Sequence, residues 1–75
     1  MNNERRKRIR EIIKSAEDLK SEINIVLDDE QYAYDNMTDG LQCSERGINS
    51  EESIESLENA IESIEECINN LSDIN

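Results

Sequence analysis

Cys43 and Cys67, Tyr32 and Tyr34, Ser44 and Arg46 beside Gly47, and a row of glutamates from Glu51 to Glu66 are the side chains here best suited to chemistry. Nucleophilic catalysis needs a thiol or hydroxyl beside a base. The sequence has no His, neither cysteine has a base of the usual kind in its sequence context, and no Gly-x-Ser-x-Gly turn occurs. Two cysteines without His leave a zinc site short of ligands and exclude a disulfide-rich scaffold, so two reduced thiols are expected. Asp35-x-x-x-Asp39-Gly40 approaches the spacing of a calcium loop, but Met37 occupies the third position and Arg46 the twelfth, where Glu belongs. The expectation is a protein with no catalytic residue, no metal and no cofactor.

Two sets of residues remain as candidates for binding. Tyr32, Tyr34, Gln42, Ser44 and Arg46 form a loop set. Its arginine and serine suit an anion held against a helix N-terminus, and its tyrosines suit stacking on a base. The plainer reading pairs Arg46 with a carboxylate and uses the tyrosines to close the end of a helical bundle. Glu51, Glu55, Glu58, Glu62 and Glu65 form an acidic set, with Glu52 and Glu66 beside them. Regularly spaced carboxylates on a rod can imitate the phosphates of DNA and occupy a basic groove on a protein. The plainer reading is a solvated face that keeps a small bundle in solution.

The chain's charge is −11, distributed as +3 over residues 1–20, −6 over 21–48 and −8 over 49–75. Direct binding to nucleic acid is not expected of so acidic a chain. Only the basic stretch Arg5-Arg6-Lys7-Arg8, with Arg10 and Lys14, runs against that trend.

The elements that must carry these residues are helices. The sequence has no Pro, two Gly and no aromatic residue besides the two tyrosines, a poor composition for strands. Ile54, Leu57, Ile61, Ile64, Ile68 and Leu71 recur in steps of three and four, an apolar seam flanked by Ala60, Cys67 and Ile74. Asn49 with Glu52, or Ser50 alone, marks a helix start. Ile9, Ile12, Ala16, Leu19, Ile23 and Val26 read as a second seam, broadened by Ile13 and Leu27, with Lys7–Glu11 and Lys14–Asp18 as pairs on the exposed side. The spacing predicts an all-α antiparallel hairpin in one domain: helix over about 3–36, polar loop over about 37–49, helix over about 50–73. Leu41–Arg46 can form one short helical turn or stay irregular.

Opposite charge at the two chain ends favours the antiparallel arrangement, with Arg5, Arg6, Arg8 and Arg10 facing Glu62, Glu65, Glu66 and Asp73. Such a short chain has too few aliphatic side chains to offset the entropy of ordering it. Self-association is expected, most simply as a dimer forming a four-helix bundle. No apolar run reaches the length of a membrane span and no signal peptide opens the chain, so the expected location is the cytoplasm.

Asp35-Asn36-Met37, Leu41-Gln42 and Ser44-Glu45-Arg46-Gly47, followed by Glu/Ile heptads, resemble a family of small acidic helical proteins encoded by phages and prophages. Glu4-Arg5-Arg6-Lys7-Arg8 and Asp29-Glu30-Gln31 extend the resemblance over most of the chain. Thr38 stands where members of that family tend to carry Pro. The family has no firm activity attached. The resemblance implies a mobile-element origin, a bacterial host cell and a class in which small acidic proteins often block host factors. The leading expectation is therefore an inhibitor of a host protein, defence proteins included, acting by direct contact. A sponge for a nucleotide-like molecule and a structural assembly protein with no ligand are the alternatives.

Overall fold

The computed structural model describes residues 1–74. Three helices account for nearly all of them: α1 (Asn3–Asp35), α2 (Asp39–Gln42) and α3 (Glu45–Ser72). The Asn2 side chain caps α1 by accepting from the Arg5 N–H at 2.8 Å. At the other end of α1, the Asn36 side-chain amide donates to the Tyr32 carbonyl at 2.7 Å. Thr38 caps α2 through the Leu41 N–H, and Ser44 caps α3 through the Gly47 N–H. No helix among the described residues is long and apolar enough to cross a membrane.

The two long helices run antiparallel. Tyr34 meets Glu51, Glu30 meets Ser50 and Lys20 meets Glu65, so residue numbers rise on one helix as they fall on the other. The molecule measures 58 × 15 × 12 Å with a radius of gyration of 17.2 Å. A compact chain of this length would have a radius of about 11 Å.

The seam of α3 is the expected one, from Ile54 through Leu57, Ile61, Ile64 and Ile68 to Leu71, all buried or half-buried. It extends one heptad further back, through Ser50 and Gly47, because α3 begins at Glu45 rather than near residue 50. Asn49 is exposed and caps nothing. Ser50 lies inside the seam, 4% exposed, where its hydroxyl donates to Glu30 at 2.7 Å. Ser44 is the cap, and the anion-favouring first turn carries Glu45.

On α1 the structure corrects the expected seam. Ile9, Ala16 and Ile23 face α3 as expected, but Ile12, Leu19 and Val26 do not; they are 51%, 49% and 54% exposed. The half-buried series is Ile9, Ile13, Ala16, Lys20, Ile23, Leu27, Glu30, Tyr34, again in steps of four and three. Two apolar stripes lie one residue apart on α1, and the polar partners at the loop end select between them. Glu30 continues Ile9, Ala16 and Ile23, which both stripes share, but Tyr34 continues Ile13, Lys20 and Leu27 and meets Glu51 only when that stripe turns inward.

The expected ion pairs fall out of register for a related reason. Among the described residues, the only ion pair is Lys20–Glu65 at 3.1 Å. Arg6 and Arg10 share a cleft with Leu71, Ser72 and Ile74, so the basic stretch lies beyond Glu62, Glu65 and Glu66, level with the last turn of α3. Lys7–Glu11 and Lys14–Asp18 also stand apart.

Gly47 is neither a turn nor a cap-terminating residue. It sits inside α3 at negative φ, and a Cβ there would lie 2.2 Å from the Gln42 carbonyl oxygen and 2.5 Å from the Gln42 Cα. Backbone atoms cannot swing away, so only glycine lets α2 fold back onto the first turn of α3. Gly40, inside α2, has nothing within 4 Å of its virtual Cβ. The two glycines should therefore respond oppositely to the same substitution. Gly47→Ala is expected to destabilise by about 1–3 kcal/mol through overpacking. Gly40→Ala is expected to stabilise by about 0.5–1 kcal/mol by restricting the unfolded chain. Urea unfolding followed by circular dichroism separates the two; equal effects of one sign would contradict the close approach at Gly47.

Candidate binding surfaces

The loop set is not assembled into one site. Tyr34 turns inward, and its phenol donates to the Glu51 carboxylate. The Gln42 side-chain amide donates to the Tyr34 carbonyl at 3.1 Å. Ser44 is engaged twice, accepting from the Gly47 N–H and donating to the Leu41 carbonyl. These three side chains bind the turn together. Tyr32, one face away on α1, is 74% exposed, and Arg46 is exposed with no carboxylate within 4 Å among the described residues. Two tyrosines two residues apart on a helix point to different sides, which is why they do not form a shared stacking platform.

The acidic set is continuous. Glu51, Glu55, Glu58, Glu62 and Glu65 are all exposed on α3, spaced in alternating steps of four and three. By helix rise the row spans about 21 Å, with a carboxylate every 5 Å or so. Its ends are tied to α1, Glu51 by the Tyr34 phenol and Glu65 by the Lys20 ammonium. Glu55, Glu58 and Glu62 between them have no hydrogen-bond or ion-pair partner among the described residues. Lys20 was missed as a component because it interrupts an apolar pattern. It extends along the seam, half-buried, and carries its charge out to Glu65.

The clefts between the helices distinguish two sides of the hairpin. One side is lined by Glu17, Lys20, Asn24, Glu58, Glu62 and Glu65. The other is lined by Val26, Asn49, Ser53, Ser56 and Leu57 together with the carboxylates Glu30 and Glu52. The described residues contain no group of three or more His, Cys, Asp or Glu that could hold a metal ion. No protein-family model, curated protein or solved structure matches the chain.

The Tyr34–Glu51 contact sets a pH dependence. The phenol's pKa is raised above its ordinary value of 10.0, first by the hydrogen bond to Glu51, then by burial and by neighbouring negative charge. The folded chain thus keeps this proton at higher pH than the unfolded chain. Its contribution to stability is complete below about pH 10 and is lost as pH rises through the folded-state value. Tyr34→Phe is expected to abolish that loss. The difference in tyrosinate absorbance between wild type and Tyr34→Phe should have its midpoint above 10; a midpoint below it would mean the contact is absent in solution.

Proposed function

We propose that this chain is a non-enzymatic binding protein whose α3 carboxylates occupy a basic groove on a protein that ordinarily holds nucleic acid. The observation that carries this reading is the unpartnered row Glu55, Glu58 and Glu62, continued at either end by Glu51 and Glu65. A basic groove gains affinity by neutralising regularly spaced anions with little regard for what bears them. A rigid helix presents such a row without the ordering cost of a flexible acidic tail. The same contact would exclude the nucleic acid, making the chain an inhibitor by occupation. The phage-type loop supports a host factor, defence proteins included, as the target.

The test uses immobilised protein and host lysate. Wild type is expected to retain a nucleic-acid-binding protein that duplex DNA and added salt release. Glu55→Lys, Glu58→Lys and Glu62→Lys combined should weaken retention by at least about tenfold, since three lost attractions become three repulsions. Arg46→Ala and Tyr32→Ala, two exposed positions free of capping duties, should leave it unchanged. The opposite pattern, with retention surviving charge reversal and lost at Arg46 and Tyr32, would move the site to the loop.

A further inference from the structure

Away from the acidic row, α3 has a side with no charge on it. Ser53, Ser56, Ala60, Ser63, Cys67 and Asn70 follow one another in steps of three and four, and none is ionisable at neutral pH. The helix as a whole carries eight carboxylates, from Glu45 to Glu66, and one cation, Arg46. On the same side of the hairpin, α1 presents Ile12, Leu19 and Val26 at heptad spacing, each about half exposed. Small uncharged residues on one helix and branched aliphatic residues on its neighbour make a face that allows close approach, with an apolar half on α1 and little like-charge repulsion on α3.

We infer that this face is covered by a second copy of the chain, in an antiparallel dimer whose two-fold axis passes Leu19. Area is the first argument. The chain exposes 5777 Å², whereas a compact monomer of its mass would expose about 4,700 Å². The excess, about 1,000 Å², is close to the roughly 800 Å² that each partner contributes to a stable interface.

Charge complementarity fixes the occupant and its direction. Leu19 is the midpoint of α1, which runs from Asn3 to Asp35. The half before it carries Arg5, Arg6, Lys7, Arg8, Arg10 and Lys14 and is net positive; the half after it carries Glu22, Asp28, Asp29, Glu30 and Asp35 and is net negative. An antiparallel second α1 sets each half against its opposite. Ile12 then faces Val26 of the other copy, Leu19 faces its own symmetry mate, and Arg8 comes within one residue of level with Asp29. A parallel pairing sets like against like. Laying α1 of one copy on α3 of the other sets the acidic half of α1 against the acidic start of α3. In the two-fold arrangement the two α3 helices approach through their uncharged sides alone.

Sedimentation equilibrium of the full chain at micromolar concentration is expected to give twice the 8.7 kDa chain mass. Leu19→Glu should weaken the dimer by at least about a hundredfold, because the symmetry places two carboxylates together. Ile25→Glu, at the most exposed aliphatic position and on the far side of α1, should leave it intact. Leu19→Cys, in a chain with Cys43→Ser and Cys67→Ser, reads the geometry without relying on a destabilised variant. Mild oxidation is expected to give a disulfide-linked dimer. A single-chain mass throughout the micromolar range would overturn the inference, as would a dimer that persists without cross-linking at residue 19.

Discussion

The Ser50 hydroxyl and the Glu30 carboxylate meet at 2.7 Å in the most enclosed part of the hairpin, one heptad position from where the Tyr34 phenol reaches Glu51. A carboxylate in such a place needs its partner, because an unsatisfied one costs far more than a satisfied one contributes. Sliding α1 along α3 would part Glu30 from Ser50, and rolling it to bring Ile12 and Leu19 inward would carry Tyr34 away from Glu51. The apolar seam alone could accept several registers; these polar contacts accept one. Gly47 works in the same direction by letting the Gln42 backbone close the turn against α3. The arrangement resembles the use of a buried polar residue in coiled coils, where register is set at some expense of stability.

That logic explains which parts of the fold were legible in the sequence. The α3 seam runs without a polar interruption from Ile54 to Leu71, so periodicity alone located it. On α1 the polar residues Lys20 and Glu30 belong to the true seam, while Ile12, Leu19 and Val26 lie beside it. Counting apolar residues favours the outer stripe, and only knowledge of the cross-helix partners favours the inner one. The start of α3 was obscured differently. Ser44-Glu45-Arg46-Gly47 lacks the acidic residue that completes a capping box, and Gly47 reads as a terminator when no neighbour is known. Stepping back from Ile54 by four and then three, to Ser50 and Gly47, would have extended the helix correctly. The exposure and spacing of the acidic row were legible because exposed residues on a regular helix answer only to its period. The loop set was not, since Tyr34, Gln42 and Ser44 find their partners through the turn itself.

The seam also shows how thin the interior of a two-helix protein is. Ile54 is the only buried aliphatic side chain among the described residues, and no side chain is completely enclosed. Every other seam residue keeps one flank in water, because two cylinders touch along a line while each apolar stripe is a band. Hydrophobic stabilisation scales with the area removed from water, so a half-covered seam delivers a fraction of its capacity. A third and fourth helix turn the line of contact into a core, and the exposed aliphatic residues of α1 lie at the edge of the seam where such helices would meet it.

Carboxylate placement on α3 then has a single physical rationale that covers both surfaces. Spreading eight negative charges evenly around a helix would oppose any approach by another copy of the same helix, and within a Debye length of about 8 Å salt would not screen that repulsion away. Placing five of the eight on one side of the hairpin leaves the stripe from Ser53 to Asn70 uncharged and makes the field on the charged side stronger. In the proposed two-fold dimer the uncharged stripes would meet at the centre and the two acidic rows would face outward. The proposed self-association and the proposed recognition of a basic partner would thus use different sides of the same helix, each favoured by the segregation that the other requires.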